Sequence, residues 1–324
     1  MFRFAGTRIL RGFSRALTIM WFKNLVVFRL PADWSVSASE LEDQLAGRSL
    51  QPCGAFDMQS RGWIHASAAE RYVHTTNGQH LIALGVEQKL LPASIIRQVA
   101  AERAKEIEVQ QGYPIGRRQM RELKERVTEE LRGRALTRRT VTRAWLDPLN
   151  GWLVVDASGA ARAEAVIETL RDTLGSLAVQ FLETERSPAL SMASWVMVGD
   201  APLQFSIEQD LELRAADKGP ALIRYASHPL DSKEIRAHLQ AGMYATRLGL
   251  TWRDRIAFVL TEKLQIRRLE FLAVSKDPAD GESGTDAAEQ FELDFTLMTG
   301  ELARMLAELS EALGGRSAPQ AAAA

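Results

Sequence analysis

The sequence predicts an α+β protein with mostly antiparallel sheets, packed helices and one projecting helical hairpin. Three observations carry that expectation. Runs rich in Val, Ile, Leu and aromatic residues are punctuated by tight-turn signals, among them Asn77-Gly78 and Asn150-Gly151, which tolerate positive φ and join antiparallel strands. Capped amphipathic helical segments lie among those runs. The stretch from Pro92 to Gly133 has a helical texture but more charged than apolar side chains, so it projects from the body instead of forming a core.

The elements follow in order. Residues 1–19 hold Arg3, Arg8, Arg11 and Arg15 and no acid. A cationic leader of the transit type is one reading. We favour Met20 as the natural start, with 1–19 as an extension of little order. WFKNLVVFRL reads as a buried strand. SVSASELEDQLAG, from Ser35 to Gly47, is a short helix with Ser caps and a closing Gly. GWIHAS and RYVHTTNGQHLIALGVEQKLL are strands joined by turns. PASIIRQVAAERAKEIEVQQ opens with Pro92 near its first turn, where the missing N–H costs little. Gly112, Pro114 and Gly116 break it, and RRQMRELKERVTEELRG resumes as a second helix.

ALTRRTVTRAWLD and NGWLVVDA return to strands. AARAEAVIETLRDTLGSL is an amphipathic helix with Ala163, Val166, Ile167, Leu170 and Leu174 on one side. SPALSMASWVMVG is a short helix, and PLQFSIEQDLELRAA with PALIRYASH form paired strands. DSKEIRAHLQAG is a helix capped by Asp231 or Ser232. MYATRLGLTW, RIAFVLTEK and LQIRRLEFLAV make a meander. DPADGESGTDAAEQ is an acidic loop. In the last helix Phe291, Phe295, Met298, Leu302, Met305 and Leu309 recur at spacings of 4, 3, 4, 3 and 4, a core-facing stripe.

Length and composition bound the function. The 324 residues are too many for one simple core and suggest about two to three structural units. We divide them into 1–19, a first part of the body (20–91), the hairpin (92–133), the rest of the body (134–313) and a tail (314–324). The 46% hydrophobic and 25% charged content is an ordinary globular balance. No apolar run reaches the roughly 18 residues that span a bilayer, so a cytoplasmic protein without a membrane partner is expected. Cys53 is the only cysteine, which precludes an intramolecular disulfide, and a buried structural thiol is expected there.

Catalytic signatures are largely missing. There is no GxxxxGK[ST] phosphate loop, no GxGxxG after a strand and no GxSxG elbow. The five histidines, His65, His74, His80, His228 and His238, form no metal-binding motif, although His74 and His80 straddle a turn and could meet across a hairpin. Asp277, Asp280, Glu282 and Asp286 lack the spacing of a calcium loop. No enzyme, metal or cofactor is expected.

Charge placement is more informative. The net charge is only −1, yet residues 97–143 hold 13 Arg/Lys and 7 Asp/Glu, whereas residues 270–308 hold ten acids against Lys276 and Arg304. Arg117, Arg121 and Lys124 share one helix face and Arg118 lies one step round. Arg132, Arg134, Arg138, Arg139 and Arg143 continue the band with no acid among residues 132–143. Along the strand, Arg139 and Arg143 share one parity and Arg132, Arg134 and Arg138 the other. Such a band neutralises phosphates without reading bases. The alternative is a solvated face balanced by Glu122, Glu125, Glu129 and Glu130.

From Met20 to about Gly315 the chain resembles the bacterial RdgC family. The resemblance rests on MWFKNLVVFRL, QPCGAFDMQSRGW, NGQHLIALGVEQKLLPASII, WLDPLNGWLVVDASGA, LRDTLGSL, LEFL and DFTLMTGELARMLAELSEALGG. It implies a curved subunit of a ring-shaped homodimer with a positive inner surface. It also implies binding of double- and single-stranded DNA without sequence preference, a nucleoid-associated location and restraint of RecA-promoted strand exchange by occupying DNA. No catalytic activity comes with it. The basic positions that match are Arg117, Lys124, Arg134, Arg138 and Arg224. Leu136 falls where the family can present an aromatic at the gate between subunits. Ser227 and His228 fall where a Lys-Gln pair can sit, and Arg138, Arg139 or Arg143 would compensate for that lost charge. Residues 92–133 would supply the other subunit contact. The competing functional reading is an interaction module that engages RecA directly through the acidic C-terminal region.

Overall fold

Alternation along the strands decides the architecture. A computed structural model of the chain describes residues 21–67, 69–216, 221–272 and 287–315. The expectations for the leader, the acidic loop residues Asp277 to Asp286 and the end of the tail lie outside the described residues. In β1 (Leu25–Arg29), Leu25 and Val27 turn to one face and Val26 and Phe28 to the other, and all four are buried. A strand apolar on both faces must lie inside a sheet that is covered on both sides.

Helix α1 (Ala38–Ala46) starts at Ser37, whose hydroxyl accepts from Glu40 N while the Glu40 carboxylate accepts from Ser37 N. β2 (Gln59–Ile64) and β3 (Val73–Thr76) pair end to end along one edge of β4 (Gln79–Lys89), and Asn77 and Gly78 both adopt positive φ in the β3–β4 turn. The other edge of β4 pairs over ten residues with β5 (Thr137–Asp147). Between those two strands the chain leaves the body as α2 (Ala93–Gln111) and α3 (Arg117–Arg134), which pack on each other around Ala100, Ala104, Leu123 and Val127. Gly112 closes α2 in the left-handed region. Arg103 clamps Glu130 across the pair with two bonds of 2.7 and 3.0 Å.

β5 continues to β6 (Trp152–Asp156), which pairs with β1. Helix α4 (Ala160–Leu174) and α1 cover the face that shows Val26, Phe28, Ile82, Leu84, Leu146 and Leu153. The short β7 (Gln180–Phe181) pairs with the outer half of β1, and α5 (Pro188–Val198) follows. The second half of the sheet comprises β8 (Phe205–Arg214), β9 (Leu222–Tyr225), β10 (Tyr244–Trp252), β11 (Ile256–Thr261) and β12 (Ile266–Phe271), with α6 (Lys233–Gln240), capped by Ser232, between β9 and β10. All pairings of named strands are antiparallel, and the order is β2-β4-β5-β6-β1-β12-β11-β10-β8-β9.

The separate sheets expected from sequence are therefore one continuous sheet. The two halves share a single registered pair, Leu25↔Ile266, reinforced by Leu269 N donating to Lys23 O and by the Trp21 and Phe271 rings 4.5 Å apart. What unites them is α7 (Ala287–Ala312). Its stripe Phe291, Phe295, Met298, Leu302, Met305 and Leu309 is buried in one cluster with Leu25, Leu81, Trp145 and Val154 of the first half and Leu248, Phe258 and Leu260 of the second. Truncating Phe295→Ala should cost about 3–5 kcal/mol, because the helix is anchored on both halves of the sheet and cannot collapse onto the void. Urea unfolding at equilibrium measures this.

Candidate nucleic-acid interface

The basic band divides according to what each side chain meets. Arg132 and Arg134 belong to the last turn of α3, not to the strand, so the expected strand parity applies only to Arg138, Arg139 and Arg143. Arg132 is held inward by a bond from its guanidinium to the Phe56 carbonyl. On α3, Arg118 donates to Glu122 at 3.0 Å, and Arg121 lies 3.9 Å from Glu125. On β5, Arg139 donates to Glu87 of the neighbouring strand at 3.3 Å. Such exposed pairs stabilise little, but each supplies a nearby negative charge.

Arg143 is half-buried in the body. Burial pushes its guanidinium down from its ordinary value, against the attraction of Asp156. The Asp156 carboxyl is pushed up by burial, opposed first by the N–H groups of Asn24 and Lys23 that it accepts and then by Arg143. Among the described residues Arg143 Nε has no hydrogen-bond partner. This residue faces the core side of β5, where Trp145 is fully buried, and not an open rim.

Arg117, Lys124, Arg134, Arg138 and Arg224 form no ion pair among the described residues, although Glu130, clamped by Arg103, also feels the Arg134 charge. Arg126, on the same helix as the first two, is a further exposed and unpaired cation that the sequence reading passed over. Arg138 projects from the opposite face of β5 to Arg139, beside Gln88. Arg224 is remote from all of these, on the terminal strand β9, with six strands between β9 and β5. The band is thus two patches, one on the arm formed by α2, α3 and the outer ends of β4 and β5, the other on the far half of the sheet.

The residues expected at a gate divide in the same way. Leu136 is 78% exposed at the root of the arm, where its carbonyl accepts from Leu90 N as the last rung of the β4–β5 ladder. Nearby, Lys89 is buried and its ammonium donates to the carbonyls of Gly54 and Ala55, which fixes the loop that presents Phe56 at 86% exposure. Ser227 and His228 lie beyond β9, both exposed; Ser227 has φ +52°, and the His228 ring lies 5.6 Å from Tyr225. Leu136 and the Ser227–His228 turn lie on different halves of the sheet, with six strands between β5 and β9.

The remaining candidates resolve structurally. The register pairs Thr75 with His80 and His74 with Leu81, so the two histidines occupy opposite faces and do not meet across the hairpin. The His74 ring packs edge-on against Phe291 and Phe295, and His80 Nδ1 bonds the Thr75 hydroxyl. Cys53 is half-buried and not buried as expected, with its thiol 3.3 Å from the Asp57 carbonyl. Among the described residues no three His, Cys, Asp or Glu side chains converge to hold a metal ion, and no helix is long and apolar enough to cross a membrane.

Fold and charge layout together define an α+β protein built on one long antiparallel sheet with a basic projecting arm. Comparison with known proteins makes the assignment specific. The family model described as "Putative exonuclease, RdgC" matches residues 20–316. The recombination-associated protein RdgC of Dechloromonas aromatica is 49% identical over 299 residues, covering 91% of this chain and 98% of that protein. The RdgC proteins of Herminiimonas arsenicoxydans and Burkholderia cenocepacia are each 46% identical, covering 92% and 94% of this chain and 99% and 100% of their own. The chain belongs to the RdgC family.

The histidine environments generate a pH expectation. Burial lowers the pKa of both His74 and His80, partly opposed at His74 by Glu292, so both folded-state values lie below the ordinary 6.5. The unfolded chain takes up these protons first as pH falls. The stability tied to the neutral rings is therefore full above the unfolded value and is lost as pH falls from there through the depressed folded values. The urea midpoint should drop across that interval, and His74→Phe, which keeps a ring against Phe291 and Phe295, should flatten part of the decline.

Proposed function

We propose that this protein binds double- and single-stranded DNA without sequence preference, as a ring-shaped homodimer, and limits RecA-promoted recombination by occupying DNA. The observation that carries this reading is selective pairing. On an arm crowded with acids, Arg117, Lys124 and Arg138 keep their charge uncompensated and Arg134 shares Glu130 only at longer range with Arg103, while Arg118, Arg121 and Arg139 are each paired. Arg224 adds an uncompensated charge on the far half of the sheet. Cations spaced along a surface and free of fixed partners release counterions when they meet phosphates, which gives affinity without base readout. The close relatives' shared description as recombination-associated supports the setting, cytoplasmic and nucleoid-associated.

The gate follows from the same placement. Leu136 and the Ser227–His228 turn stand exposed on different halves of one subunit, so the two would meet only between subunits, closing the ring. The arm would supply the other contact between subunits. Leucine retains an apolar closure but lacks a ring to stack.

Two other readings have specific motives. The acidic C-terminal region would be a RecA-docking surface, but two of its acids are engaged internally: Glu308 accepts from Trp252 Nε1 and Arg253, and Glu301 accepts from Arg255 and Arg304. The family model's description raises a nuclease. A RecA complex formed without DNA would support the first, and metal-dependent shortening of DNA ends would support the second.

Charge reversal tests the leading reading. The double substitution Arg134→Glu/Arg138→Glu should weaken binding to unrelated duplexes alike and make the slope of log K against log[salt] shallower by about 1.8. Unchanged affinity and slope in fluorescence anisotropy would remove these residues from the interface. Retention on closed circular but not linear DNA after a salt challenge is the outcome expected of a threaded ring.

A further inference from the structure

We infer that the uncovered face of the β8–β12 half-sheet carries a phosphate-binding subsite built around Arg267 and Arg268. In a regular strand neighbouring side chains point to opposite faces, so consecutive arginines cannot share one. Here a bulge brings them together. Arg268 has φ +51°, and one extra residue of β12 is accommodated between the pairs Ala257↔Glu270 and Val259↔Arg267. Ile266, Leu269 and Phe271 consequently point into the core, while Arg267, Arg268 and Glu270 are left on the outer side. Bulges re-aim side chains in this way at functional edges of sheets.

Two more arginines stand on the same face. Arg247 on β10 and Arg224 on β9 flank Glu212 of β8, the residue opposite both. Compensation is incomplete. Arg247 lies 3.8 Å from Glu212, and Arg268 lies 3.6 Å from Asp210. Arg267 donates to two neutral acceptors, the Ser158 carbonyl and the Gln265 side chain. No carboxylate among the described residues pairs with Arg224 or Arg267. Four cations therefore surround one cleft that contains two acids. Partial burial and the neighbouring Arg247 guanidinium hold Arg267 below its ordinary value, and a bound anion would relieve that repulsion.

Phosphate oxygens suit this cleft, because guanidinium groups offer paired donors in a fixed plane and remain charged. The ligand class is the backbone phosphate of a nucleic-acid strand, held at a fixed point remote from the arm. This assignment rests on the DNA-binding reading above.

The test uses the full chain with two probes, inorganic pyrophosphate and a fluorescent oligothymidylate. At constant ionic strength, pyrophosphate should raise the thermal midpoint of the native chain, and Arg267→Gln/Arg268→Gln should lose most of that rise. The same variant should bind the oligonucleotide with a salt slope shallower by about 1.4, as for two lost contacts to a single strand. Arg224→Gln, on the exposed terminal strand, provides a second variant should the first not fold, with an expected loss of about 0.7 in slope. A lost pyrophosphate response with intact strand binding would overturn the nucleic-acid ligand in favour of a small phosphate compound. Unchanged responses to both probes in these variants would overturn the subsite, and the DNA-binding reading would survive only if Arg134→Glu/Arg138→Glu still weakened binding. Loss in neither set would overturn both.

Discussion

The burial of α7 is the constraint on which the rest of the structure depends. The two half-sheets share one registered pair, and each presents an apolar face that would otherwise meet water. A single helix fills both needs, because residues spaced by three and four stay on one side over about five turns. Its flanks are tied down as well: Glu308 bonds the Trp252 indole and Arg253, and Glu301 bonds Arg255. β1 then becomes a strand enclosed on both faces, with α1 and α4 on the opposite side. One apolar cluster, centred on α7, thus serves both halves of the sheet.

The arm follows a different physical rule. Its interior is small, with two alanines on α2 facing Leu123 and Val127 on α3, so the helices approach closely and bury little surface. Stability there leans on continuity with the β4–β5 ladder and on the Arg103–Glu130 clamp. A small interior leaves most of the helical surface free for charge. Pairing at spacing i,i+4 then sorts that charge: a glutamate four residues on neutralises Arg118 and Arg121 in part, whereas Arg117 is followed at that distance by Arg121 and Lys124 by Thr128.

Local signals were legible in the sequence and long-range ones were not. Asn77-Gly78 marked its turn because few residues accept that backbone, and the α7 stripe marked its buried face because helical periodicity repeats over six positions. The partners of Arg118 and Arg121 could have been read from the same i,i+4 spacing. The Arg139–Glu87 pair could not, since 52 positions separate the partners and only the strand register brings them together. Register likewise separates His74 from His80, which sequence proximity had suggested as neighbours. The continuity of the sheet was hidden for the same reason: a single β1–β12 contact joins positions 25 and 266, and no local pattern encodes it. Arg267 and Arg268 were passed over because simple alternation assigns one of them to the core.

That bulge gives β12 an unusual relation to its own length. Its apolar residues before and after Arg268 keep their phase only because one residue is surplus to the ladder. Removing a residue at that point would make the strand regular, yet the repaired alternation could keep only one of the two guanidiniums on the outer side. Elsewhere in a sheet a deletion damages the pairing; here it would perfect the pairing and erase the charge pattern. The irregular frame is therefore the informative one: an insertion of a single residue lets one short strand specify an apolar interior and a doubled positive exterior at once.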